Sequence, residues 1–340
     1  MALTSRLGFC LGLLSLGLAA CSRGGGDARD ARAFFQDPVR RPDNDAVLVL
    51  MPDTDHTRAV LLGIRDEVGE ELDLLVRPVD RSLTAEEIEA MLAEVQPRCV
   101  VLMDNPTVKA YRELQLARPQ ASFPPAIVVM ASFLEEHYRL VKNATGIAYE
   151  VPALTLFTHL RTILVSPVEK VGVVYRPAFR GYIDRQRELA KREAIELIGV
   201  AVPQRPSVRD VRRALETVRT ERGAHALWVL NDNGLLTPEL IQRAWMPLSE
   251  TGRRVPLVVG AASLVSAKFD FGTFAMLPDH GALGMQTGAL IFKLADDGWT
   301  IRRADIQPPL STKTVINLRQ AERDFKLAPT ALSHVDRIVN

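Results

Sequence analysis

The 340 residues carry 42 Lys and Arg against 41 Asp and Glu, a formal net charge of +1. That balance leaves no global field to hold nucleic acid. The chain is 47% hydrophobic, an ordinary globular make-up, and its three cysteines and six scattered histidines show no zinc-ligand spacing.

Residues 1–20 read as a signal peptide. Arg6 supplies a short positive region, and Leu7 to Leu18 is an almost wholly apolar run. It falls short of the about 20 residues that a membrane span needs. Leu18-Ala19-Ala20-Cys21 then resembles the lipobox of bacterial lipoproteins. That resemblance implies cleavage before Cys21, a thioether to diacylglycerol, and acyl chains such as palmitate in a membrane. Two or more chains anchor stably where one does not. The expected location is the cell envelope, facing the periplasm; Ser22, where Asp would favour the inner membrane, leaves the outer membrane open. Residues 21–44 read as the lipidated cysteine and a flexible linker, rich in Gly, Asp, Arg and Pro, interrupted by Phe34-Phe35. Roughly 20 residues at up to about 3.5 Å each would reach about 70 Å.

From residue 45 short apolar runs alternate with helical periods. Ala46 to Met51 reads as a strand, 57–69 as a helix with Val60, Leu61, Ile64 and Val68 on one face, and Leu72 to Val76 as a strand. Thr84 and Glu87 form a capping box ahead of the next helix. Val100 to Met103 is a strand, with Cys99 beside it as a small buried hydrophobe. A helix over 106–117, a strand Ala126 to Met130, a helix over 133–141 and a strand Gly146 to Tyr149 complete a first half. The order then restarts: helix 153–164, strand 171–175, a long charged helix over 182–197, strand 200–202, helix 208–219, strand 226–230, a helix opened by Thr237 and Pro238, and strand 255–259. Gly281 to Lys293 is helical, with Gly281, Gly284 and Gly288 suited to close packing on another element. A strand at Lys313 to Asn317 and a short helix at Leu318 to Asp324 follow.

Strict alternation of strand and helix predicts parallel sheets with helices on both faces. The expected fold is α/β: two doubly wound parallel-sheet lobes with a hinge. The first lobe spans 45–150 with a return segment at about 272–308. The second spans 151–271 with about 309–328, leaving 329–340 as a tail.

Several segments in combination resemble the periplasmic substrate-binding proteins of ABC transporters with the type I periplasmic-binding fold. They are Lys170 to Pro177, Ala226 to Asp232 with Leu235 to Pro238, Gly272 to Gly284, and Thr314 to Leu318 with Ala321. The loops depart from the family pattern at Arg176 to Tyr182, which is not Asn-Pro-Ser-rich, and at Asn231-Asp232-Asn233-Gly234.

In such folds ligands bind at the carboxyl ends of strands. Asp53 and Thr54 after the first strand can contact a ligand or cap a helix, as can Asp104 and Asn105 after the third. Ser132 follows the fourth strand, beside Phe133, and Tyr149-Glu150 marks the crossing between halves, where Glu150 can bind an amine or simply lie at the hinge. Tyr175, Phe179 and Tyr182 can stack on a planar ligand, and Arg176 and Arg180 can pair with a carboxylate or phosphate or lie at the surface. Asn231 and Asp232 offer hydrogen bonds or form a turn; the resemblance favours Asp232 and Asp279 as ligand contacts. It also implies a solute-binding protein that captures a small molecule, an amino acid or an aromatic metabolite, for an ABC permease. A ligand-sensing envelope lipoprotein is the alternative within binding. An envelope enzyme is the third reading, without a Gly-x-Ser-x-Gly elbow, phosphate loop or dinucleotide fingerprint to support it. No cofactor or metal is expected.

Overall fold

The strand at Ala46–Met51 (β1) is a run of six fully buried residues, AVLVLM, so both its faces must be covered. It is the centre of a sheet in a computed structural model that describes residues 34–134, 141–247, 254–266, 268–302 and 305–340. The leader, Cys21, Ser22 and most of the helix expected over 133–141 lie outside the described residues.

Around β1 the chain lays down β2 (Asp73–Pro78), β3 (Cys99–Met103), β4 (Ala126–Val129) and β5 (Ala144–Ile147). The second half contributes β6 (Lys170–Tyr175), β7 (Glu196–Ala201), β8 (Ala226–Val229), β9 (Leu257–Val259) and β10 (Phe274–Pro278). Short β11 (Ile306–Gln307), then β12 (Thr312–Asn317) and β13 (Arg337–Val339), end the chain. The first sheet runs β11-β5-β4-β3-β1-β2 and the second β13-β12-β10-β9-β8-β6-β7. All pairings are parallel except β10 with β12. The two-lobed α/β reading holds.

The connecting helices start where their caps are. Thr54, Thr84 and Ser207 each accept a backbone N–H three residues on, and each is answered by the side chain of that residue. The charged helix expected to reach 197 ends at Lys191. Ala194 takes a positive φ of 53° and breaks the period. Arg161 gathers the carbonyls of Val168, at 2.9 Å, and Glu193, at 2.9 Å, beside the turn that leads into β7. The helix at Val208–Glu216 gives way to a π turn at Thr217–Glu221 rather than continuing to 219 as one α-helix.

Three boundaries move. The segment expected to return to the first lobe from about 272 begins with β10, which lies in the second sheet between β9 and β12. The crossing therefore falls at Asp279. From there the helix His280–Asp296 and β11 belong to the first lobe, and β12 returns to the second. Residues 329–340 are not a free tail, because β13 pairs with β12. Nor is 34–44 free linker. Phe34 carries the guanidinium groups of Arg58 and Arg65 over its ring, each at 5.0 Å, and its carbonyl accepts from Arg65 at 2.8 Å. Asp37 accepts from Arg77 at 2.8 Å, and the Arg41 N–H donates to Asp73 at 3.1 Å.

The glycines on the return helix do pack closely. A Cβ at Gly284 would fall 2.1 Å from the Val60 carbonyl oxygen, and one at Gly63 would fall 2.1 Å from that of Gly281. The helices Asp55–Val68 and His280–Asp296 touch backbone to backbone, so the late return segment is locked to the first helix of its lobe.

Candidate ligand-binding site

The carboxyl ends of the strands and the three crossings converge between the lobes, and most sequence candidates there are engaged with the protein itself. Asp53 holds Arg58 through both oxygens, at 2.6 and 2.9 Å, on the surface. The Thr54 hydroxyl accepts from the Thr57 N–H at 3.2 Å. Asp104 accepts from the Thr107 N–H at 3.0 Å; burial pushes its carboxyl up despite that bond. Capping accounts for Thr54 and Asp104, and an ion pair for Asp53.

Asn105 and Ser132 are brought together. The Asn105 amide accepts from the Ser132 N–H at 2.7 Å and donates to its carbonyl at 3.3 Å. This pair braces the loop after β4 against the loop after β3. Both loops are strained: Asp104, Met130 and Phe133 have φ of 96°, 59° and 54°. Such conformations cost of order 1–3 kcal/mol each and persist where the surroundings enforce them.

In the second lobe Tyr175 is buried in the core, its ring against Gly199. Arg180 is exposed at the start of its helix. Asp232 grips Arg176 and also accepts from the Gly234 N–H at 2.9 Å. Its side chain is only 1% exposed. Asp279 caps the return helix through the Gly281 N–H, at 3.1 Å, and pairs with Lys313 at 3.1 Å. Beside it His280 meets the Tyr149 hydroxyl at 3.0 Å, with His56 at 4.7 Å between ring centroids. Burial, then His56, lowers the His280 imidazole to about 4; Asp279 opposes that and Lys313 adds to it. Burial raises the Tyr149 hydroxyl to about 12, with help from Glu150. Among the described residues no group of three or more His, Cys, Asp or Glu could hold a metal.

What remains between the lobes is an aromatic cavity. Phe133, Tyr149 and Glu150 line it from the first lobe. Leu156, Trp228, Leu230, Asn231, Gly260 and Met276 face them. Its volume is about 20 Å³, room for roughly one water. The cavity is therefore filled by the protein's own side chains. Of the sequence candidates, Glu150 and Asn231 line this cavity, the Asn231 amide packed on Gly260 so tightly that a Cβ there would fall 2.4 Å from Nδ2. Trp228, Gly260 and Met276 were not anticipated. Trp228 carried a signal, as the one aromatic in the aliphatic strand β8; Gly260 and Met276 are brought in by tertiary contact alone. A larger concavity of about 790 Å³ opens along edge strand β7. It lies away from the crossings, and Arg161 and Arg187 on its wall are bound to main-chain carbonyls, Arg187 to that of Leu197 at 3.2 Å.

No family model matches the chain, and no curated protein matches it. Solved structures do. The ABC domain from Streptococcus pneumoniae in complex with L-Trp is 17% identical, with 87% of this chain and 100% of that one covered and a TM-score of 0.55. The ligand-free, open structure of a substrate-binding protein with adhesive properties from Clostridium difficile is 13% identical, with 87% and 99% covered and a TM-score of 0.62. A conserved domain protein from Vibrio cholerae is 16% identical, with 87% and 99% covered and a TM-score of 0.55. The chain thus has the type I periplasmic-binding fold, two mostly parallel α/β sheets with interleaved helices, on which substrate-binding proteins of ABC transporters are built.

Proposed function

We propose that the protein is a solute receptor of the cell envelope. It captures a small molecule between its lobes, carries out no chemistry on it, and delivers it to an ABC-type permease. The observation that carries this reading is the convergence of aromatic walls with two polar groups, Glu150 and Asn231, at the crossings between lobes. Binding pockets combine such apolar walls with a few placed polar groups. Three backbone crossings allow hinge opening, so ligand and lobe closure are coupled. An amino acid or aromatic metabolite suits the walls, and a neighbour of the same fold holds L-Trp.

The receptor is tethered by lipid on Cys21. Phe34 is held on Arg58 and Arg65, so at most the twelve residues 22–33 can serve as a leash, about 40 Å at full extension. That is shorter than a linker running to residue 44.

A thermal-shift screen of the full chain against amino acids, amines and aromatic acids tests the receptor. Ligand at a hundred times its Kd adds about 2.7 kcal/mol of stability. A library that shifts nothing sinks the proposal. For the anchor, Cys21→Ser should abolish incorporation of labelled palmitate and release the protein from membranes; retained label would refute it.

A further inference from the structure

Phe133 belongs to the first lobe by sequence and to the second by packing. It is 4% exposed and lies in the second lobe's hydrophobic cluster with Leu156, Phe179, Tyr182 and Trp228. Its ring is 4.2 Å from that of Phe179, tilted by 38°, and 5.4 Å from that of Tyr182, edge-on at 85°. The contact with Tyr182 is the edge-to-face arrangement that aromatic pairs prefer. Its backbone N–H donates to Glu150 Oε1 at 2.9 Å. It achieves both contacts at a φ of 54°, which a side chain of this size rarely adopts.

Taken as a fragment, N, Cα, Cβ and the phenyl ring of Phe133 are the skeleton of β-phenylethylamine. The nitrogen end donates to a carboxylate and the ring end fills an aromatic box. The space left beside it, about 20 Å³, excludes any second ring. The geometry points to Phe133 as a built-in competitor for the ligand. The ligand class is an arylalkylamine, either an aromatic amine or an aromatic amino acid. Its ring takes the place of the Phe133 ring, and its ammonium takes the place of the Phe133 N–H at Glu150. Asn231, on the facing wall, is available to a further polar group. This assignment rests on the receptor reading and names its ligand. Asn105, through its two bonds to Ser132, is the positioning residue that holds the competitor in place.

A ligand that must first evict Phe133 binds with its intrinsic Kd divided by the fraction of molecules whose box is empty. If Phe133 fills the box in nine molecules of ten or more, removing it tightens binding about tenfold or more. The experiment is calorimetric titration of the full-length protein and its Phe133→Ala variant. The probes are β-phenylethylamine, isoamylamine, which lacks the ring, and 3-phenylpropionate, which lacks the amine. The expected result is at least a tenfold gain for β-phenylethylamine alone, lost again when Glu150→Gln is added. An equal gain for 3-phenylpropionate would reveal only a hole where a ring had been and would overturn the inference. Equal affinity of the two proteins for whichever solute the wild type binds would also overturn it, while leaving the receptor standing. Silence of both proteins towards every probe and the wider library would remove the receptor as well. If Phe133→Ala fails to fold, Phe133→Leu keeps apolar volume in the cluster and must show the same ranking of probes.

Discussion

Asp232 binds Arg176 in a two-pronged pair, Oδ2 to Nε at 2.6 Å and Oδ1 to Nη2 at 2.5 Å, with the guanidinium 5.5 Å above the Phe179 ring. The residue that the family resemblance most favoured for ligand contact is thereby used to hold an arginine of its own lobe. Asp232→Ala would leave Arg176 only 19% exposed and without its counter-ion. The expected loss is about 3 kcal/mol of stability, read by urea denaturation. Adding Arg176→Met should recover a substantial part of it. Ligand affinity, measured below the melting range, should change less than threefold; loss of binding in a fully folded variant would return Asp232 to the site.

Gly284 faces the backbone of the helix Asp55–Val68, where a Cβ would fall 2.1 Å from a carbonyl oxygen and 2.8 Å from the Gly63 Cα. Neither is a flexible atom. Gly284→Ala should therefore cost about 3 kcal/mol, at the upper end of overpacking effects, even though alanine is the better helix former. Gly298, with a φ of 66° and open surroundings, is the matched control for backbone effects alone. Thermal denaturation of the two variants separates crowding from conformation.

His280 links acidity to the waist of the molecule. Its imidazole titrates near 4 in the folded protein against an ordinary 6.5. The unfolded chain therefore binds this proton more readily than the folded one. Stability contributed here is complete above about 6.5 and is lost as pH falls towards about 4. The facing groups are His56, Tyr149, Asp279 and Lys313. When neutral, Nε2 can accept from the Tyr149 hydroxyl; when protonated it cannot. His280→Gln should flatten the pH dependence of the melting temperature across that window. An unchanged slope would place the titration elsewhere.

Phe34 should protect the residues that follow it. Its two cation–π contacts are worth roughly 0.5–1 kcal/mol each at a surface. Phe34→Ala should speed cleavage by trypsin after Arg40 several-fold, with little change in global melting. Equal rates would mean that the bonds of Asp37 to Arg77 and of Arg41 to Asp73 hold the segment without it.

The sheets were legible because β1, β3 and β6 are apolar runs that no solvent-facing strand would carry, and because Thr84 with Glu87 announces a helix start. Crossings were harder to place. Phe274 to Pro278 is as apolar as any strand of either lobe, and its neighbours β9 and β12 are decided by topology. The helix overrun past Lys191 has a similar origin: nothing local announces that Ala194 will turn left-handed. At the site, polar candidates were easy to name and mostly served as caps or ion pairs, since Thr54 and Asp104 are what a helix start requires and Asp53 pairs with Arg58. The walls, Phe133 with Trp228, looked like ordinary core. Their role emerges only when a ring from one lobe is found in the core of the other.

That shared ring has a thermal consequence. While Phe133 is seated among Phe179, Tyr182 and Trp228, neither lobe can melt without disrupting the other's interior. The unliganded protein should therefore unfold as one cooperative unit. A ligand that expels Phe133 exchanges this internal rivet for an external one, and so makes the cohesion of the two lobes depend on solute concentration.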